Sequence, residues 1–173
     1  MDLNVLKKLP LISDFSNGEL IDLFATATEQ HFSPGSFLCR EGDRDGHLYF
    51  LVNGEVEVSK RDATGNAHVL ATLSDGALLG ELSWIMGAPC TASLKVLKET
   101  FIVQLNGEAL STQLQEHSPG AFKFSVALLR MLAGRLVRMN EQFLASQTRP
   151  NDNGNKKSEI ERLRERILQD WSF

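Results

Sequence analysis

The spacing of apolar residues changes along the chain, and each change predicts a different kind of element. Near the start, Phe15-Ser16-Asn17-Gly18-Glu19-Leu20 spells a helix entry. Ser16 can cap, Glu19 three residues on can reach back, and Phe15 can staple to Leu20. Leu20, Leu23 and Phe24 then share one helical face. From about Gln30 to Gln104 short strands replace the helical pattern. Pro34-Gly35, Gly42-Asp43, Asn53-Gly54, Gly65-Asn66 and Asp75-Gly76 punctuate them at intervals of about 8 to 12 residues, the spacing of a sandwich or barrel. Leu48-Tyr49-Phe50-Leu51-Val52, Asn53-Gly54 and Glu55-Val56-Glu57-Val58 read as a hairpin, since Asn-Gly suits a type I′ turn. Beyond the turn, Glu55 and Glu57 alternate with Val56 and Val58, giving a wet and a dry face.

Ser118-Pro119 opens a long helix, with serine as cap and proline in the first turn. Over 118–145, Phe122, Leu129, Leu132, Leu136, Met139 and Phe143 form a heptad-like stripe that suits a core face or a homodimer seam. Residues 146–157 are polar and turn-rich and read as a flexible linker. In 158–173, Ser158 can cap a short amphipathic helix whose Ile160, Leu163, Ile167 and Trp171 face one way, a surface suited to a protein partner. The expected fold is α+β: an eight-stranded β jelly roll flanked by N-terminal helices and a long C-terminal helix, spanning 1–145.

Composition narrows the function. A chain of 173 residues with 42% hydrophobic and 23% charged residues suits one domain with a modest appendage. A net charge of −4 argues against gripping nucleic acid. Arg162, Arg164 and Arg166 are balanced by Glu159, Glu161, Glu165 and Asp170, and the stretch after Ala145 is short for an independent DNA-reading unit. No apolar run reaches the roughly 20 residues of a membrane span, and residues 1–8 lack a signal peptide's apolar core. The expected compartment is the cytoplasm. Cys39 and Cys90 are too few for a disulfide framework and read as reduced, semi-buried thiols. A metal-binding His-x-His pair fails at Tyr49, and His31, His68 and His117 stand alone. With no nucleophile elbow and no phosphate-cradling glycine loop, no enzyme is expected.

The capped helix, Pro34-Gly35, Glu41-Gly42-Asp43, the Leu48–Val56 stretch, the run Gly80-Glu81-Leu82-Ser83-Trp84-Ile85-Met86-Gly87-Ala88-Pro89-Cys90-Thr91-Ala92 and the long helix occur in one order. Together, over residues 4–145, they resemble the cyclic-nucleotide-binding domain of catabolite-activator-type regulators, protein kinase A regulatory subunits and cyclic-nucleotide-gated channels. The resemblance makes Gly80–Ala92 a phosphate-binding cassette. It implies that Gly80 lets the backbone approach the ligand and that Glu81 accepts from the ribose 2′-hydroxyl. The N–H groups of Leu82 and Ser83, with Thr91, would hold the phosphate, and Ala92 would leave room beside it. Asn140 would cover the base, with Met139 as apolar lid.

The family's cassette carries an arginine where this chain has Cys90. Losing such a charge-assisted hydrogen bond costs about 1.5–3 kcal/mol. The resemblance thus implies a stand-alone sensor or regulatory domain, homodimeric through its long helix, that binds cAMP or cGMP weakly and needs no other cofactor. Two rivals stay open: a ligand-free dimerisation or protein-interaction domain, and a truncated transcription regulator acting through a partner.

Overall fold

The helix entry forms as its residues dictate. Ser16 N donates to the Glu19 carboxylate at 2.7 Å, and Glu19 N donates to Ser16 Oγ at 3.3 Å, a reciprocal capping box. In a computed structural model of the chain, residues 2–147 are described. They fall into two compact units, Met1–Met131 and the part of Leu132–Phe173 that is described. The linker and amphipathic helix expected over 146–157 and 158–173 lie outside the described residues, apart from the backbone of 146 and 147.

The first unit opens with α1 (Leu3–Leu6), a 3-10 turn at Pro10–Ile12 and α2 (Asn17–Leu23). Eight strands follow: β1 (Thr28–Phe32), β2 (Phe37–Cys39), β3 (His47–Asn53), β4 (Glu55–Arg61), β5 (Ala67–Ser74), β6 (Leu78–Leu79), β7 (Ser93–Val96) and β8 (Thr100–Asn106). Between β6 and β7 lies α3 (Glu81–Met86), and after β8 comes α4 (Gly107–Gln115). The strands make two four-stranded antiparallel sheets, β1-β8-β3-β6 and β2-β7-β4-β5. This is the expected jelly roll.

One expectation fails. β3 and β4 are consecutive but do not pair: β3 pairs with β6 and β8, and β4 with β5 and β7. Asn53-Gly54 is a corner where the chain changes sheet, not a hairpin turn. A type I′ turn needs positive φ at both central residues, yet only Gly54 has it, at +122°. Distant residues hold the corner. Gly54 N donates to Asp75 Oδ1 at 2.9 Å, and a Cβ on Gly54 would fall 2.2 Å from Thr100 Oγ1. The real hairpin joins β4 and β5, where Asp62 Oδ1 accepts from Thr64 N at 2.8 Å and Asn66 N at 3.0 Å.

β3 is apolar on both faces and buried on both. Tyr49 and Leu51 point into the space between the sheets, with Val56, Leu79, Leu94 and Ile102. Phe50 points the other way, its ring 5.1 Å from Phe24 and 5.9 Å from Phe124. Phe124 belongs to α5 (Pro119–Gln147), whose cap is Ser118: Ala121 N donates to Ser118 Oγ at 3.1 Å. The first turns of α5 bury Ala121, Phe124 and Leu128, while Phe122 and Leu129 are exposed. The packed face is therefore not the heptad-like stripe. In the second unit, the continuing helix leaves Leu136, Met139 and Phe143 at least half exposed. No described helix is long and apolar enough to cross a membrane.

Candidate functional site

The segment after β6 is built around two left-handed glycines. Gly80 has φ +82°, and a Cβ there would lie 2.3 Å from the His47 carbonyl oxygen, so only glycine lets α3 begin beside β3. Gly87, with φ +58°, ends the helix. Glu81 and Ser83 in the first turn are buried, at 4% and 7% exposure. Ser83 ties the two ends of the segment together. Its Oγ accepts from Thr91 N at 3.3 Å, and its carbonyl accepts from Ala88 N at 3.0 Å.

Trp84 anchors α3 on the other side. Its indole N–H lies 2.9 Å from the Gly107 carbonyl and 3.1 Å from Ser111 Oγ. Gly107 has no room for a side chain, since a Cβ would meet the Gly46 carbonyl at 2.1 Å and the indole at 2.6 Å. Thus α3, α4 and the β2–β3 loop converge around a cavity of about 420 Å³, lined by Ser83, Trp84, Ala88, Pro89, Glu108 and Arg44 among others. Among the described residues, Arg44 is the one cation lining it.

Cys90 follows this segment and faces inward. It is 5% exposed and packs in the core with Leu38, Cys39 and Tyr49. Two backbone bonds clamp it to the β2–β3 loop: Cys90 N donates to the Asp43 carbonyl, and Gly42 N to the Cys90 carbonyl, both at 2.8 Å. Cys39 Sγ, Cys90 Sγ and an Asp45 carboxylate oxygen all lie within 4.8 Å of one another. Asp45 in turn accepts from the Tyr49 hydroxyl and lies 3.0 Å from His47 Nδ1. Burial pushes the Cys39 thiol well above its ordinary value, and the adjoining Cys90 thiol adds to the shift. Burial raises the Tyr49 phenol too, helped by its hydrogen bond to Asp45. At neutral pH both are protonated.

The Cyclic nucleotide-binding domain family model matches residues 29–117, just over half the chain. The chain belongs to the cyclic nucleotide-binding domain family. A cyclic nucleotide-binding domain from Methylobacillus flagellatus KT shares the fold with a TM-score of 0.72 and 27% identity, over 88% of this chain and 84% of that one. A CRP-like cAMP-activated global transcriptional regulator from Mycobacterium tuberculosis is 29% identical over 63% of this chain. The alpha-2 subunit of a bovine cyclic nucleotide-gated channel is 30% identical over 66% of it. The aligned stretch spans 47% of that regulator and 18% of that channel subunit.

In this cyclic nucleotide-binding domain the cassette residues Gly80, Glu81, Leu82, Ser83, Cys90, Thr91 and Ala92 form one continuous turn–helix–loop. Leu82 is exposed, Thr91 and Ala92 are half-buried, and the Thr91 N–H is already engaged by Ser83. Gly80 has an architectural reason to be glycine, namely the His47 carbonyl. Asn140 is exposed and belongs to the second unit. Arg40 stacks over the Phe37 ring at 3.7 Å, and Lys95 lies between the inward Leu94 and Val96, so neither cation turns inward beside Cys90. Sequence reasoning missed Arg44, Asp45 and Tyr49. Each sits on β3 or the loop before it, about 40 residues before Cys90, and no local motif links them to the cassette.

Proposed function

We propose that this domain is a sensor or regulatory module that takes a cyclic mononucleotide, cAMP or cGMP, through a cassette lacking the family's phosphate-gripping arginine. The observation that supports it is the retained cassette geometry: left-handed Gly80, buried Glu81 and the Ser83–Thr91 closure. In this reading Glu81 accepts from the ribose, and the first-turn N–H groups of Leu82 and Ser83 with Thr91 hold the phosphate. Arg44 supplies the positive charge that Cys90 cannot. The exposed stripe on α5, from Phe122 and Leu129 to Leu136, Met139 and Phe143, serves as a homodimer seam; Leu136→Glu converts a dimer to monomer in sedimentation if it does. The module is cytoplasmic and acts on a partner rather than on nucleic acid directly.

The test is calorimetric titration of the reduced protein with each nucleotide. Micromolar binding supports the proposal. Cys90→Arg then raises affinity at least about ten-fold, the value of one charge-assisted hydrogen bond. Arg44→Ala lowers it by a similar factor.

A second reading has its own support. Cys90 packs against Leu38, Cys39 and Tyr49, so the protein's own groups fill the interior beside the cassette. A fold retained for dimerisation and partner docking needs no ligand there. Silence with both nucleotides, from folded wild type and Cys90→Arg alike, selects that reading.

A further inference from the structure

We propose that Cys39, Cys90 and Asp45 form a site for one thiophilic divalent cation of the zinc class, where the end of the cassette meets β2 and the β2–β3 loop. Among the described residues they are the one group of three such donors so close together. Tetrahedral ligands with bonds of about 2.3 Å to sulfur and 2.0 Å to oxygen stand roughly 3.5 Å apart. Donors already within 4.8 Å of one another need contract by only about an ångström.

The backbone holds this set in place. Reciprocal 2.8 Å bonds join Cys90 to Asp43 and Gly42, and Cys39 is the last residue of β2. Asp45 is oriented as metal-bound carboxylates are, by outer partners. His47 Nδ1 stands 3.0 Å from one oxygen, and the Tyr49 hydroxyl bonds the other. The phenol has a second acceptor, the Leu38 carbonyl at 3.2 Å. Its proton can move there when a cation takes the carboxylate oxygen. Access exists as well: Cys39 and Asp45 line a cavity of about 380 Å³ whose other walls include the exposed Asp43 and Arg44. A disulfide would use only the thiols and leave Asp45, with its two dedicated partners, without a part. The carboxylate is what favours a metal.

Binding balances simply. One M²⁺ enters, two thiolate–metal bonds form, and the two thiol protons leave to solvent. Three protein ligands leave the fourth tetrahedral position to water or a small donor. The inference does not depend on nucleotide binding.

The experiment is an anaerobic titration of the tag-free, reduced full chain with Co²⁺, read by absorption. Sulfur-to-cobalt charge transfer and tetrahedral d–d bands should saturate at one Co²⁺ per chain and vanish on adding Zn²⁺. Cys39→Ser and Cys90→Ser should each remove half or more of the charge-transfer intensity. Asp45→Asn should keep it while weakening affinity by about ten- to a hundred-fold. If a serine variant does not fold, protection of the wild-type thiols from alkylation by one equivalent of Zn²⁺ carries the same test. Absence of charge transfer in folded, reduced protein overturns the proposal, as does an Asp45→Asn variant that binds unchanged. So does peroxide converting both thiols to a disulfide in protein that takes up no metal, which would make the pair a redox couple.

Discussion

β3 and β5 are nearly equal in length and both rich in β-forming residues, yet they live in opposite environments. β3 buries Leu48, Tyr49, Phe50 and Leu51, whereas β5 leaves Val69 and Leu70 each 60% exposed. The difference lies in what covers the outer face of each sheet. The sheet holding β3 is backed by Phe24 of the N-terminal helical segment and Phe124 of α5, while β5 is the edge strand of the other sheet. The cassette helix starts beside β3, against the His47 carbonyl, and Asp45 and Tyr49 belong to the same stretch. The cassette helix, Asp45 and Tyr49 thus stand by the helix-backed sheet, while Cys39 reaches them from β2 of the other sheet.

Paired truncations test this contrast. Phe50→Ala removes a ring from between Phe24 and Phe124 and should cost about 3–5 kcal/mol in chemical denaturation. Leu70→Ala, on the open strand, should stay within about 0.5 kcal/mol. Equal losses would mean that β5 is covered in solution. A smaller contrast involves two glycines with nearly the same φ. Gly80→Ala must accept a left-handed backbone and a Cβ 2.3 Å from the His47 carbonyl oxygen, whereas Gly35→Ala, at φ +88°, meets nothing within 4 Å. Strain alone costs of order 1–3 kcal/mol. Gly80→Ala should exceed Gly35→Ala and shift amide resonances across Glu81–Thr91, which Gly35→Ala should leave in place.

What could be read from sequence follows the range of the interactions involved. The Ser16–Glu19 box and the Ser118-Pro119 start are local, and both formed as spelled. The cassette was legible as a motif because its parts lie within thirteen consecutive residues, Gly80 to Ala92. Asn53-Gly54 misled for the converse reason. A good local hairpin signal was overruled by Asp75 and Thr100, contacts far along the chain that make it a corner. The long helix was legible in its start and its spacing but not in its packed face: Ala121, Phe124 and Leu128 do the packing, while Phe122, Leu129, Leu136, Met139 and Phe143 of the heptad-like stripe are exposed. Cys39 and Asp45 carried no signal singly and Cys90 stood out only in the place of the family's arginine; the three form a group only once the β2–β3 loop folds against the cassette end.

The β4–β5 turn supplies the smallest effect and a clean sign. Asp62 accepts from the Thr64 hydroxyl and lies 2.6 Å from His68 Nε2, with further bonds from the backbone of Thr64 and Asn66. These donors, the Thr64 hydroxyl foremost, lower its carboxyl to about 2 from an ordinary 3.8. A depressed carboxyl favours the folded state above its unfolded value, and that contribution fades as pH falls from about 4 through about 2. NMR titration of the Asp62 carboxyl should therefore give a midpoint near 2, and Asp62→Asn should flatten the acid limb of the stability curve slightly. A midpoint at the ordinary value would show that the turn is open in solution. That outcome would extend the solvated character of β5 into the loop before it, widening its contrast with β3.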